Sequence, residues 1–178
     1  GADAFNVAVG FDAGTTITSG VQNTIMGGRA GDALTTGIEN VSLGYLTLSA
    51  EDTGSYNTAI GTAALKVQDG GASNVAVGRD AGRSITTGSN NTIVGANAGD
   101  ALTTGANNII IGKNAAASAV GVNNETVIGT TTTTSALVHG LKQPVIAASA
   151  NVAAAAAFPN SIFNFSDADG ASVTLPDS

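Results

Sequence analysis

The chain has 178 residues, a formal net charge of −7 and 11% charged residues, against about 25% in a typical soluble domain. It contains no cysteine, which excludes disulfides, thiol nucleophiles and cysteine-based metal sites. The negative charge argues against nucleic acid and anionic membranes as partners, and no apolar run reaches the ~18 residues that a membrane-spanning helix needs.

Three series of residues recur every 17 positions from the start of the chain. The first is a glycine that recurs eight times without insertion: Gly10, Gly27, Gly44, Gly61, Gly78, Gly95, Gly112 and Gly129. The second is an asparagine four residues earlier, replaced by Glu125 in the eighth unit: Asn6, Asn23, Asn40, Asn57, Asn74, Asn91 and Asn108. The third is another glycine, which shifts by one at its last member: Gly20, Gly37, Gly54, Gly71, Gly88, Gly105 and Gly121. Because Gly1 falls inside a repeat and no initiator methionine is present, we expect the chain to derive from a longer one.

Each unit offers one clear β run, as in "NVAVG", "NTIMG" and "NIIIG", where β-branched residues lie between the Asn and the Gly. A unit of 17 residues is too short for two helices and a turn. We therefore predict two strands and two turns per unit, with a glycine at each end in a turn that needs a positive φ. Residues 1–129 are predicted to form an all-β β-solenoid (β-roll or β-helix) of about eight 17-residue coils, a rod roughly 35–40 Å long.

The asparagine series predicts a ladder along this stack. Asparagine tolerates the left-handed conformation and caps turns with its side-chain amide. Stacking places each Asn over the Asn of the next coil, so that the amides can bond along the rod. We interpret the Asn and Gly series as a structural turn ladder that binds nothing.

Both faces of the predicted strand are apolar. The third position of the run is apolar in seven of eight units: Ala8, Ile25, Ser42, Ala59, Ala76, Ile93, Ile110 and Val127. The second and fourth positions, which share the opposite face, are Val, Ile, Leu, Met or Thr. A thin coil buries only its inside, so we expect the other face to pack on another copy in a closed homo-oligomer, with three-fold symmetry preferred.

The second half of the unit is more polar, with one apolar series expected inside the coil: Ile17, Leu34, Ile85 and Leu102. Units three and four depart from this pattern, because Glu51 and Gln68 replace Ile or Leu, and Leu48 and Leu65 replace Gly. We expect this segment to turn other residues inward there. The copies "NVAVGFDAG" and "NVAVGRDAG" differ only at Phe11 and Arg79, and a site that takes both is predicted to be exposed.

The period ends after Gly129. Residues 130–144 are predicted to be an exit strand or connector. Residues 145–178 are predicted to be a small β-rich cap or the start of a further β module, with a turn at Asp169-Gly170 and a small core of Phe158, Phe163 and Phe165.

Catalytic, cofactor and metal motifs are weak. His139 is the only histidine, and Glu51-Asp52 are adjacent instead of facing each other across a cleft. The glycines of "GGRAGD" and "GRDAGRS" belong to the 17-residue series and lack the Lys-Ser/Thr ending of a phosphate loop. Ser166–Gly170 has two carboxylates but lacks the later ligands of a calcium loop. We predict no catalytic, cofactor-binding or metal-binding residue, and no enzymatic activity.

Units such as "NTAIGTAAL", "NNTIVGANAGDALTTG" and "NVAVGRDAG" resemble the Asn-x-Ala-Ile-Gly repeats of bacteriophage tail fibres and related phage adhesins. They resemble more distantly the head repeats of trimeric autotransporter adhesins, whose unit is shorter. "NNETVIGTTTTTSALVHGLKQ" (Asn123–Gln143) is similar to the way such phage repeats end. The resemblance covers roughly Phe5–Gln143. It implies a homotrimeric rod at the virion surface or outside the cell, structural or adhesive, that projects a tip able to bind a host-surface glycan or protein.

Two alternatives remain open at this point. One is a monomeric ligand- or ice-binding solenoid, in which Thr35-Thr36, Thr86-Thr87 and Thr103-Thr104 form an array that Asp52-Thr53 and Asp69-Gly70 interrupt. The other is the non-catalytic part of a polysaccharide-degrading tail spike, since this segment has two Tyr and no Trp with which to stack sugars. No membrane insertion is expected for any of them.

Overall fold

The computed structural model describes residues 4–133, which contain eight three-residue strands and no helix. The strands are β1 (Val7–Val9), β2 (Thr24–Met26), β3 (Val41–Leu43), β4 (Thr58–Ile60), β5 (Val75–Val77), β6 (Thr92–Val94), β7 (Ile109–Ile111) and β8 (Thr126–Ile128). The prediction of an all-β β-solenoid is confirmed. The connector predicted for 130–144 lies outside the described residues beyond 133, and the segment predicted for 145–178 lies outside them entirely.

The strands form one parallel sheet in chain order, from β1 to β8. Every strand residue pairs with the residue 17 positions later: Val7 with Thr24, Ala8 with Ile25, Val9 with Met26. The same register holds through to Ile111 and Ile128. The stack therefore completes seven turns between the first and last strands and extends about 34 Å at ~4.8 Å per coil.

Each coil contains one strand, so the prediction of two strands per coil is wrong. The second half of the coil is a series of stacked turns. Within a coil, the amide of Ile17 donates to the carbonyl of Gly14 at 3.3 Å. Between coils, the amide of Thr18 donates to the carbonyl of Thr35 at 2.9 Å. Left-handed residues recur in every coil, as at Leu46 (φ 57°), Leu48 (φ 47°) and Tyr56 (φ 63°) of the third, and they mark where the backbone turns.

Glycine is required in the two series for different physical reasons. The glycine after each strand has a positive φ, from 91° at Gly129 to 140° at Gly27, as predicted. The second series lacks a positive φ, so the prediction is wrong there. A Cβ added at Gly71 would lie 2.6 Å from the carbonyl oxygen of Gly88 in the next coil. Glycine is needed at these places because two backbones approach each other closely.

The third strand positions point into the coil and form its core. Ile25, Ala59, Ala76, Ile93 and Ile110 are fully buried. The series predicted inside the second half joins them, since Leu34, Ile85 and Leu102 are buried to within 1%. In the first coil Ile17 is only half-buried. The core is therefore a thin column of Ala, Ile and Leu along the rod.

In coils three and four the expected inward side chains are present at Leu48 and Leu65, while Glu51 and Gln68 also stay buried at the inward position. Leu48 and Leu65 are fully buried where other coils have glycine. The strands of these coils contribute Ser42 and Ala59 to the core, where β2 contributes Ile25. A smaller side chain from the strand makes room for a larger one from the turn.

Candidate functional surface

The second and fourth strand positions point away from the core and form one outward sheet face, which we call the apolar face. Its sixteen residues are Val7, Val9, Thr24, Met26, Val41, Leu43, Thr58, Ile60, Val75, Val77, Thr92, Val94, Ile109, Ile111, Thr126 and Ile128. None is charged. All are exposed or partly exposed, from 36% at Val75 to 54% at Ile128 among the large apolar residues classed as exposed. The sequence alone did not show which strand positions point outward, and in the structure the second and fourth do.

The apolar face is large for a thin chain. Eight strands ~4.8 Å apart and three residues of ~3.3 Å give roughly 34 Å by 10 Å, or about 340 Å² in projection. Exposed aromatic side chains extend it on both edges, with Phe5 and Tyr56 on one side and Phe11 and Tyr45 on the other. Patches of about 300–600 Å² are the largest that typical monomers expose, and they are often functional. The face is thus a candidate interaction surface.

One edge of the apolar face alternates in side-chain size with a period of two coils. The residue after each strand glycine is large in odd coils (Phe11, Tyr45, Arg79, Lys113) and small in even coils (Gly28, Thr62, Ala96, Thr130). A Cβ at Gly28 would lie 3.4 Å from the Tyr45 ring, so that ring packs beside the small residue of the preceding coil. Phe11 is 78% exposed and the Arg79 side chain 63% exposed, which confirms the exposure predicted for this site.

The asparagines form a continuous hydrogen-bonded ladder on the inside of the coils. Asn23 is representative: its backbone amide donates to Asn6 Oδ1 at 2.8 Å, and its Nδ2 donates to the same oxygen at 3.1 Å. The same Nδ2 donates to the carbonyl of Gly37 at 2.9 Å, which joins the two halves of one coil. The series ends where the amide of Glu125 donates to Asn108 Oδ1 at 2.9 Å.

The left-handed conformation expected of these asparagines occurs one residue earlier, as at Gln22 (φ 62°) and Ser73 (φ 58°). The Asn side chain is buried from Asn23 to Asn108. Since each Nδ2 is engaged inside the stack, these amides offer no donor to a ligand.

A buried polar pair interrupts the apolar core between coils three and four. Glu51 and Gln68 are both fully buried, and Gln68 Nε2 donates to Glu51 Oε2 at 2.8 Å. Glu51 Oε1 accepts the backbone amides of Thr53, Gly54 and Gly70. The sequence placed both residues at the core position but did not predict their bond. The available signal was their spacing of one unit, which stacks them directly.

The glycine motifs that faintly resemble phosphate loops are part of the coil stack. The amide of Gly27 donates to the carbonyl of Val9, and that of Arg29 to the carbonyl of Phe11. The amide of Asp80 likewise donates to the carbonyl of Thr62. These donors are therefore turned toward the preceding coil and are unavailable to an anion.

The part of the chain that the structure describes contains neither a candidate metal-binding cluster nor a candidate membrane-spanning helix. Residues 4–133 contain no group of three or more Asp, Glu or His side chains that could hold a metal ion. They also contain no helix long and apolar enough to cross a membrane. His139 and Ser166–Gly170 lie outside these residues.

Comparison of the chain with protein-family models, with curated proteins and with solved structures gives no match in any of the three.

Proposed function

We propose that this chain is a structural and adhesive rod segment of a parallel homotrimeric fibre of the phage tail-fibre type. It lies at a virion surface or outside a cell and projects a tip that binds a host-surface glycan or protein. The observation that carries the proposal is the apolar face, which runs uncharged along all eight strands and has no partner within residues 4–133.

Three parallel copies with their apolar faces turned toward a common axis give this face a partner. A closed symmetric assembly satisfies the same patch on every chain and leaves none of it exposed. The residues that flank the apolar face suit the rim of such an interface. Aromatic side chains are enriched at protein interfaces, and the charged Arg79 and Lys113 keep the edge soluble.

The hydrogen bonds support a mechanical role. Coil-to-coil bonds run parallel to the rod, both in the sheet and in the stacked turns, as from Gly14 to Ala30 at 3.0 Å. The Asn ladder adds a second row of such bonds inside the stack. Bending or extending the rod requires many of them to break together, so the solenoid is suited to holding a tip at a fixed distance.

The ligand- or ice-binding alternative has less support from the threonines proposed for it. The Thr103 hydroxyl donates to the carbonyl of Val120 at 3.0 Å, and the Thr86 hydroxyl to the carbonyl of Thr103 at 3.3 Å. Thr35 bonds to the carboxylate of Asp52. The first threonine of each pair therefore serves the coil stack, which leaves the exposed Thr36, Thr87 and Thr104 for the proposed array. The tail-spike alternative remains a proposal about segments other than residues 4–133.

A matched pair of substitutions tests the proposal. Val94 lies on the apolar face and is 37% exposed, whereas Val67 lies off it and is 38% exposed. We expect Val94→Glu to give folded monomers by light scattering, because three buried carboxylates would repel one another, while Val67→Glu stays trimeric. Circular dichroism verifies that both keep the β-solenoid. If both variants assemble like the unchanged chain, the apolar face is not the interface.

A further inference from the structure

Four threonines are the polar exceptions on the apolar face. Thr24, Thr58, Thr92 and Thr126 occupy the second position of every even strand, where the odd strands have Val7, Val41, Val75 and Ile109. Within residues 4–133 none of the four hydroxyls makes a hydrogen bond. Some threonines of the turns do bond to carbonyls of the next coil, as Thr16 does to Asp32 at 2.8 Å, while others such as Thr36 and Thr87 are exposed and unbonded. A two-coil pattern of unused hydroxyls therefore runs along an otherwise apolar surface.

We propose that these threonines set the axial register of the assembly, by meeting the same threonines of the other copies. The inference rests on the proposed function, since it needs parallel copies around a common axis. That axis runs along the column of second positions. At even coils three threonine hydroxyls meet, and at odd coils three Val or Ile side chains meet.

Identical coils create a register problem, and the two-coil pattern of threonines opposes a slip of one coil. With 17-residue units in strict register, copies that slip by one coil still overlap along seven of eight strands. Nothing in the fourth-position column opposes this, since it is apolar throughout, from Val9 to Ile128. Flat sheets without a distinguishing feature are prone to such slippage.

The hydroxyl chemistry distinguishes the aligned register from one that has slipped by one coil. A hydroxyl donates one hydrogen bond and accepts others, so a ring of three satisfies every member. A slip of one coil places each Thr hydroxyl against Val or Ile methyl groups, and a buried hydroxyl without a partner is unfavourable. The large and small residues at the edge of the face alternate in the same phase, so the slip also displaces Tyr45 from the level of its counterparts.

Cysteine cross-linking tests the position of the axis directly, because the chain has no cysteine of its own. A disulfide needs Cβ atoms about 3.5–4.5 Å apart, so it reports on the column nearest the axis. Mild oxidation of the assembled Thr58→Cys chain is expected to link about two of every three chains into dimers on a denaturing gel. Ile60→Cys, two residues along the same strand, is the matched control and should link at least about five-fold less.

Mixed assemblies test the register. Thr58→Cys and Val75→Cys lie one coil apart in the same column. When the two chains, distinguished by a mass tag, are co-assembled, in-register packing gives only like-with-like disulfides, and a one-coil slip gives mixed ones. Changing the other three threonines to Val in both chains should raise the amount of mixed disulfide at least about five-fold, because odd and even coils then present similar apolar side chains. Changing them to Ser keeps the hydroxyls and should not raise it.

The outcomes separate this inference from the proposed function. A trimer in which Thr58→Cys does not cross-link overturns the axis, and mixed disulfides in the threonine background overturn the register. Both results leave the fibre proposal standing. A well-folded monomer of the unchanged chain overturns the fibre proposal and the inference together.

Discussion

Gln68 Nε2 lies 2.8 Å from Glu51 Oε2 across two adjacent coils, and both side chains are fully buried. They occupy the core position that Leu34 fills in the second coil. The glutamate accepts bonds from Gly54 and Gly70, and Gln68 Oε1 accepts Asn74 Nδ2 at 3.0 Å. The pair therefore connects the core to the turn backbone and to the Asn ladder.

Replacing Glu51 with Ala is predicted to lower the free energy of unfolding by about 3 kcal/mol or more. The amides of Gly54 and Gly70 would lose their acceptor, at about 1–3 kcal/mol for each buried donor left unsatisfied. Denaturant titration followed by circular dichroism measures the change. Glu39→Ala, at an exposed glutamate, is the control and should leave the midpoint essentially unchanged. Equal losses in the two variants would mean that the buried bonds contribute nothing specific.

Asn91→Ala is predicted to destabilise the chain by about 2–4 kcal/mol. The change removes two bonds of Nδ2, to Gly105 and Asn74, and takes away the acceptor of the buried Asn108 amide. Asn90→Gly is the neighbouring control, because Asn90 is exposed with a φ of 59° that glycine adopts without strain. In thermal unfolding, the midpoint of Asn91→Ala should be clearly lower than that of Asn90→Gly. A ladder without energetic value would give them the same midpoint.

Alanine substitutions at the adjacent Gly70 and Gly71 distinguish the effect of a close contact between two backbones from the effect of an unfavourable φ. Gly71→Ala is predicted to disrupt the stack, since its Cβ would lie 2.6 Å from the Gly88 carbonyl. Gly70→Ala meets open space, with Thr53 Oγ1 at 3.8 Å as the nearest atom, and is disfavoured only by its φ of 79°. We expect a loss of about 1–2 kcal/mol at Gly70 and a larger one at Gly71. Hydrogen exchange of the coil amides would show which variant opens the stack, and greater opening at Gly70 would refute this assignment.

The repeat made the fold predictable from the sequence. Because the Asn and Gly series keep a step of 17 residues, the pairing of Val7 with Thr24 and every later pairing followed without further information. The core positions Leu34, Ile85 and Leu102 were identified for the same reason. A period fixes which residues stack, and stacking fixes most of the contacts.

Other features depend on information that the period does not contain. The outward face was not assignable, since Ala76 and its neighbours Val75 and Val77 are all apolar. The number of strands was missed because left-handed turns occur at residues such as Leu46 and Tyr56, which carry no turn signal. Whether the apolar face has a partner stays a prediction, as do the trimer and the fibre.

The mass of the assembled chain in solution tests the central claim most directly. Light scattering or native mass spectrometry of the unchanged 178-residue chain is predicted to give three times the chain mass of 17.2 kDa. The value should persist on dilution to micromolar concentration, because the apolar face of each chain is buried against two others. A folded species of 17.2 kDa, with the β-solenoid intact by circular dichroism, would contradict the account.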